Sequence, residues 1–187
     1  ENIKMADLAM QEFKTVLEAE ANNSVALASI ASLHFHQQQF DLAEEWYGKL
    51  IAADPQNKEA YYTLGVIAWT RAFQPRMEAR AELGMKPEDP GPLKDEEVRA
   101  KLKEANLAVI DSGLDNLKKA IEVDPMYDDA MAYLNLLHRE RADLMDTKEE
   151  YEAQTEMADN WVDKTLETKK LKAAASQSIE AVGFAEE

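Results

Sequence analysis

The chain has 187 residues, a formal net charge of −16, 45% hydrophobic and 31% charged residues, and no cysteine. That composition excludes disulfides, thiolate metal sites and cysteine nucleophiles, and it disfavours nucleic acid, whose binding needs cationic side chains to replace phosphate counterions. An anionic membrane surface is disfavoured for the same reason, and no apolar run approaches the length of a membrane span.

Good helix formers dominate, and strictly alternating runs of Val, Ile, Thr and Tyr are missing, so the chain reads as all-α. It also matches itself at a spacing of 34: Ala9 with Ala43, Phe13 with Tyr47, Leu17 with Ile51, Leu27 with Tyr61 and Ile30 with Leu64. A second match lies at 70, where Tyr47 maps to Leu117, Leu50 to Ala120 and Asp54-Pro55 to Asp124-Pro125. One period plus an insertion explains the larger spacing, because residues 72–110 hold no further copy of the pattern. Periodicity of this length marks stacked helical hairpins.

In chain order, residues 1–23 carry a single helix, Ile3 to Ala19, which aligns with the second helix of a hairpin. With no first helix before it, an upstream continuation is expected; the alternative is that this helix acts as a cap. Residues 24–57 form a complete hairpin. Asp41-x-x-Glu44 reads as a capping box that opens its second helix. Asn57 and Asp128 are placed as N-caps after the two Asp-Pro turns. Residues 58–127 form a second hairpin enlarged by an insertion at about 72–110. Gln74-Pro75 is expected to kink or end its first helix, Lys86 to Pro92 is a loop, and helix resumes near Leu93. At roughly 18 extra residues per arm, the hairpin would be taller by about 27 Å. Residues 128–172 form a third, lengthened hairpin, whose second helix opens at the capping box Thr147-x-x-Glu150 and packs through Ala158, Val162 and Leu166. The two enlarged hairpins are expected to pack on each other. Residues 173–187 are Ala- and Ser-rich, a frayed helix or tail that could also fold back into a groove.

Residues Ser24 to Asn57, SVALASIASLHFHQQQFDLAEEWYGKLIAADPQN, resemble one complete tetratricopeptide repeat. The family's positions fall on Leu27, Ile30-Ala31, His34, Ala43, Tyr47, Leu50 and Pro55. The next unit supplies Tyr61, Leu64-Gly65 and Ala68, then Gly113, Leu117, Ala120 and Pro125. The third begins with Met131, Leu134, Asn135 and His138. His34, Ala68 and His138 replace the usual aromatic residue. The resemblance covers about 110 residues well and implies a right-handed solenoid of antiparallel helical hairpins, a single domain over residues 1–172 with an enlarged second hairpin. Small residues at Ala31, Ala43, Gly65 and Gly113 would let paired helices approach closely.

The family's ligand face is the concave row of first helices. Carried across residue by residue, the resemblance places Ala28, Ser29, Ser32, Phe35 and His36 there, then Tyr62, Thr63, Val66, Trp69 and Thr70, then Ala132, Tyr133, Leu136 and Arg139. Aromatic groups in such a row anchor apolar segments. The partner-binding candidates are therefore Phe35, His36, Tyr62, Val66, Trp69, Tyr133, Leu136 and Arg139. The Lys/Asn/Arg clamp that some relatives use for a terminal carboxylate is missing. The implied function is a non-catalytic scaffold for a protein or peptide. The alternative is self-assembly, with the aromatic face buried in a homodimer or by the chain's own insert.

Catalytic and metal readings find little support. His34 and His36 point about 200° apart on a helix and do not share an ion. None of the three histidines has the Glu three residues earlier that a di-iron bundle requires. No phosphate-binding glycine loop or HExxH motif is present, and the acidic residues scatter as solvated helix faces do. No cofactor is expected, and catalysis is the weakest of the three readings. A bacterial periplasmic or envelope location is compatible with this composition, and so is the cytoplasm.

Overall fold

The computed structural model describes residues 2–183, and side chains for residues 5–176. Seven helices and no strand occur among the described residues. The chain divides into two compact units, residues 1–64 and 65–187.

The first unit holds α1 (Asn2–Ala19), α2 (Ser24–His36), α3 (Phe40–Ala53) and the start of α4 (Lys58–Glu82). Asn23 opens α2, its side chain accepting the Ala26 N–H at 3.0 Å, and Asn57 does the same for Ala60 at 3.1 Å. Each satisfies one backbone donor that a helix start leaves orphaned. Helix α2 ends in a Schellman turn. Gln38 adopts φ 58°, and the Gln39 N–H reaches back to the His34 carbonyl at 2.9 Å. Ala31 and Ala43 are fully buried beside Leu27, Ile30, Tyr47 and Leu50, so small residues sit where α2 and α3 cross. Burial pushes the Tyr47 phenol up, and a hydrogen bond with Thr63 of α4 partly offsets this.

One expected cap is displaced here. Helix α3 begins at Phe40 with Gln39 in the cap position, so Asp41 lies inside the first turn rather than before it. The left-handed Gln38 reverses the chain in fewer residues than the Asp41 motif presumes.

The second unit comprises the rest of α4, α5 (Glu96–Val123), α6 (Asp128–Ala142) and α7 (Lys148–Gly183). Helix α4 has 25 residues against 13 in α2, and α5 has 28 against 14 in α3. The arms therefore gain about 18–21 Å at 1.5 Å per residue, less than expected, because part of the insertion is spent on the connection between Glu82 and Glu96. Pro75 sits inside α4 without ending it. The stop comes at Gly84, whose φ of 65° closes a second Schellman turn, with the Met85 N–H on the Arg80 carbonyl at 2.8 Å. Helix α5 then opens on Asp95, which accepts the Val98 N–H at 2.9 Å.

Close approach of α4 and α5 depends on two glycines. A Cβ at Gly113 would stand 2.5 Å from Ala68 Cβ and 2.8 Å from Leu137 Cδ1, and one at Gly65 would run into the Leu117 side chain. The α6–α7 connection ends in a reciprocal capping box. The Glu150 N–H donates to Thr147 Oγ1 at 3.1 Å, and the Thr147 N–H donates to the Glu150 carboxylate at 3.2 Å.

Two expectations in this unit need correction. Asp128 is the first residue of α6 rather than its cap, and its carboxylate accepts from Lys172 of α7; that ammonium holds the carboxyl below the usual range. The packing stripe of α7 is Gln154, Ala158, Thr165 and Thr168, all buried, whereas Leu166 is 51% exposed. Ala158 was placed correctly. The stripe then advances by three and four residues through half-buried Trp161 to Thr165, which turns Leu166 outward. Helix α7 continues to Gly183 with no break at residue 173, and residues 184–187 of the expected tail lie outside the described residues.

Candidate partner-binding site

Every residue assigned to the ligand row is half-buried or exposed, and none enters the core. In the first unit, the half-buried Phe35 packs against exposed His36 at 5.6 Å between ring centroids and against Phe40 at 6.1 Å. Tyr62 is half-buried on α4. Ala28, Ser29 and Ser32 line a shallow trough of about 420 Å³ with Phe13 of α1 and Leu33. The small residues of α2 thus leave room that Phe13 and Leu33 wall with apolar surface.

In the second unit, Trp69 is the centre of an aromatic stack. Its ring meets Tyr133 edge-on at 5.6 Å and 82°, and lies 5.0 Å from Phe73 one turn along α4. Such pairs add stability beyond their buried area. Val66 and Leu136 are half-buried on the same two helices. Arg139 is exposed and held by Asn135 at 2.9 Å and Asp159 of α7 at 2.7 Å, so its charge is largely spent within the chain.

Beneath this stack lies a charged network that repeat periodicity does not mark. Asp143, 2% exposed, accepts from Arg80 Nη1 with both oxygens, at 2.9 and 2.8 Å, and from Arg76 Nη1 at 3.0 Å. Arg80 Nη2 also donates to the backbone carbonyls of Lys86 and Asp89, at 2.7 and 2.5 Å. One guanidinium therefore fastens the α4–α5 connection to α6. Leu93 N–H donates to the Asp143 carbonyl at 3.1 Å, and Arg99 and Lys103 of α5 pair with Asp146. The insert thus packs on the α6–α7 connection of the third hairpin.

Glu140, also 2% exposed, completes the network. Its Oε2 stands 2.6 Å from Arg76 Nε, but the pair is not aligned as a hydrogen bond. Burial pushes the Glu140 carboxyl up to about 7; Asp143 adds to this, while Arg76 and the neighbouring Trp69 indole pull the other way. The indole N–H contributes by proximity, since Trp69 Nε1 is buried without an aligned hydrogen-bond partner.

The two core histidines have structural partners. His34 Nδ1 meets Gln39 Oε1 at 2.6 Å, and His138 Nδ1 meets Gln154 Oε1 at 2.9 Å. Both occupy the slot where the repeat usually carries an aromatic residue, and in both a glutamine satisfies the ring. Burial lowers the His138 pKa, which keeps that ring neutral. No group of three or more His, Cys, Asp or Glu among the described residues could hold a metal ion.

Residues 4–66 match the family model of the tetratricopeptide repeat. The match spans α1 to the first part of α4 and so includes Phe35, His36, Tyr62 and Val66. Trp69, Tyr133, Leu136 and Arg139 follow it. No curated protein matches the chain. Tetratricopeptide-repeat proteins are generally protein-interaction scaffolds without catalytic activity.

Proposed function

We propose that this chain is a non-catalytic adaptor that binds apolar segments of a partner protein through half-buried aromatic side chains on the first helices within each unit. The observation that carries this reading is the distribution of those side chains. Phe35, Tyr62, Trp69 and Tyr133 are half-buried and lie outside the cores of their units, which are filled by Leu, Ile, Ala and Met together with Tyr47 and Tyr127. Half-buried aromatic rings are rigid and amphipathic, and they contribute most of the energy at many interfaces. Repeat membership of residues 4–66 supports a binding role over catalysis.

The test is capture of partners by the purified chain, compared with a Phe35→Ala, Tyr62→Ala variant shown by circular dichroism to keep its helicity. A benzophenone photo-crosslinker at Thr70, exposed beside Trp69, should label the same partner. Loss of capture in the variant together with that label supports the reading. Equal capture by both proteins, with no label, would remove the binding surface from the aromatic positions of both units. A chain that captures nothing and sediments as a dimer would favour self-assembly instead.

A further inference from the structure

We propose that Glu140 is a proton-operated latch on Trp69, so that protonation of one buried carboxyl changes the setting of an aromatic residue that faces the partner. The inference rests on Trp69 being part of the binding face, and it adds regulation to that face.

The geometry is unusual for a structural ion pair. Asp143 already accepts three guanidinium hydrogen bonds from Arg76 and Arg80. Glu140 is left with Arg76 Nε at 2.6 Å, off the hydrogen-bond axis, and with the Trp69 indole beside it. Three polar atoms are thus buried together without an aligned partner: Glu140 Oε2, Arg76 Nε and Trp69 Nε1. A buried N–H gains most from a charged acceptor. When Glu140 is ionised, its carboxylate attracts both N–H groups. When it is protonated, Arg76 keeps its bond to Asp143, and Trp69 Nε1 loses the negative charge next to it. The proton therefore acts mainly on the indole.

The charged and titratable groups around the Glu140–Asp143 pair are Arg76 and Arg80 of α4, Glu88 and Asp89 of the α4–α5 connection, Arg139 of α6 and Tyr151 of α7. His138 is satisfied elsewhere, by Gln154. Burial in this enclosure pushes the Glu140 carboxyl up to about 7. Trp69 in turn transmits its position to Tyr133 and Phe73 through ring contacts of 5.6 and 5.0 Å.

The experiment needs no partner, so its failure is separable from failure of the binding reading. Trp46→Phe and Trp161→Phe leave Trp69 as the single tryptophan. Its fluorescence and its indole N–H resonance are followed from pH 5.5 to 8.5, in this background and with Glu140→Gln added. The expected result is a one-proton transition with a midpoint near 7, abolished by Glu140→Gln. A flat response in the parent overturns the proposal, and so does an unchanged transition in Glu140→Gln. If that variant does not fold, the Glu140 carboxyl carbon resonance of the ¹³C-Glu-labelled parent decides. A midpoint shared with the indole supports the latch, and separate midpoints overturn it.

Discussion

Replacing Asp143 with alanine tests whether one carboxylate holds the insert in place. In the native chain this side chain neutralises two guanidinium groups in an enclosure where Arg80 is 2% exposed. Its removal would leave Arg80 with backbone carbonyls only, and Arg76 with a single misaligned carboxylate. Breaking a buried ion pair from one side costs about 3–5 kcal/mol, because the remaining charge stays desolvated. Two cations share this acceptor, which argues for the upper half of that range, although protonated Glu140 could ionise and recover part of the loss. The cost is a large share of the roughly 5–15 kcal/mol that stabilises a typical domain. Urea unfolding at pH 7, followed by tryptophan fluorescence in a Trp46→Phe background, measures it on the second unit. Arg80→Met combined with Asp143→Leu should lose much less, because it removes the charges together. Cleavage after Glu88 by a glutamate-specific protease should accelerate in Asp143→Ala, since Arg80, which holds the Lys86 and Asp89 carbonyls, would lose its own carboxylate anchor. A loss below about 1 kcal/mol, with Glu88 still protected, would refute the claim that the network anchors the insert.

Glu140→Gln should change how stability varies with pH. The folded carboxyl titrates at about 7 against 4.5 for the ordinary group. A folded pKa raised above the unfolded one gives stability that is fully present below about 4.5 and is lost as pH rises to about 7. At 1.36 kcal/mol per pH unit the loss reaches roughly 3 kcal/mol. The variant should therefore match the parent near pH 4.5 and exceed it at pH 8, and parallel denaturation curves across that range would count against the assignment. Two glycine substitutions should have opposite signs in thermal unfolding. Gly113→Ala forces a Cβ to 2.5 Å from Ala68 Cβ and should cost about 1–3 kcal/mol by overpacking. Gly48→Ala meets nothing within 4 Å inside α3 and should gain up to about 1 kcal/mol from helix propensity. Gln38→Gly should stabilise the first unit by roughly 1 kcal/mol, because Gln38 occupies a left-handed φ of 58° that glycine adopts without strain; an unchanged unfolding midpoint would contradict this.

The hairpins were legible in the sequence because they rest on local rules repeated at a fixed spacing. Ala31, Ala43, Leu27 and Leu50 mark a helix crossing through size alone, and each is buried as that pattern requires. Thr147 and Glu150 mark a helix start through a three-residue motif whose two hydrogen bonds are both made. Boundaries were harder wherever two local signals competed. Asp41 has the right chemistry for a cap, but the backbone reversal at Gln38 and Gln39 starts α3 before it. Asp128 also has cap chemistry, and it instead meets Lys172, 44 residues further on. A distant partner of this kind leaves no trace in a local motif.

The same reasoning explains why half of the candidate site was hidden. Phe35, Tyr62, Trp69 and Tyr133 are candidates because a repeat pattern assigns each residue a helix face, and the structure finds all four half-buried. Arg76, Arg80, Glu140 and Asp143 lie among the 58 charged residues of an acidic chain and look individually like solvated surface. Their joint signal is weak but physical. Arg76 and Arg80 are like charges four apart on α4, and Glu140 and Asp143 are like charges three apart in the last turn and at the C-cap of α6. Each pair disfavours its own helix, so each is stabilised by opposite charge elsewhere in the fold. The two pairs answer each other across 63 to 67 residues. This places the insert's anchor directly under Trp69, and it makes the aromatic residue most exposed to the network's charge state the one with an unpartnered indole N–H. A substitution that weakens the anchor should therefore alter the Trp69 environment before it unfolds the unit. Asp143→Asn, whose shape is conserved, is the variant in which the indole N–H resonance should move while helicity stays constant.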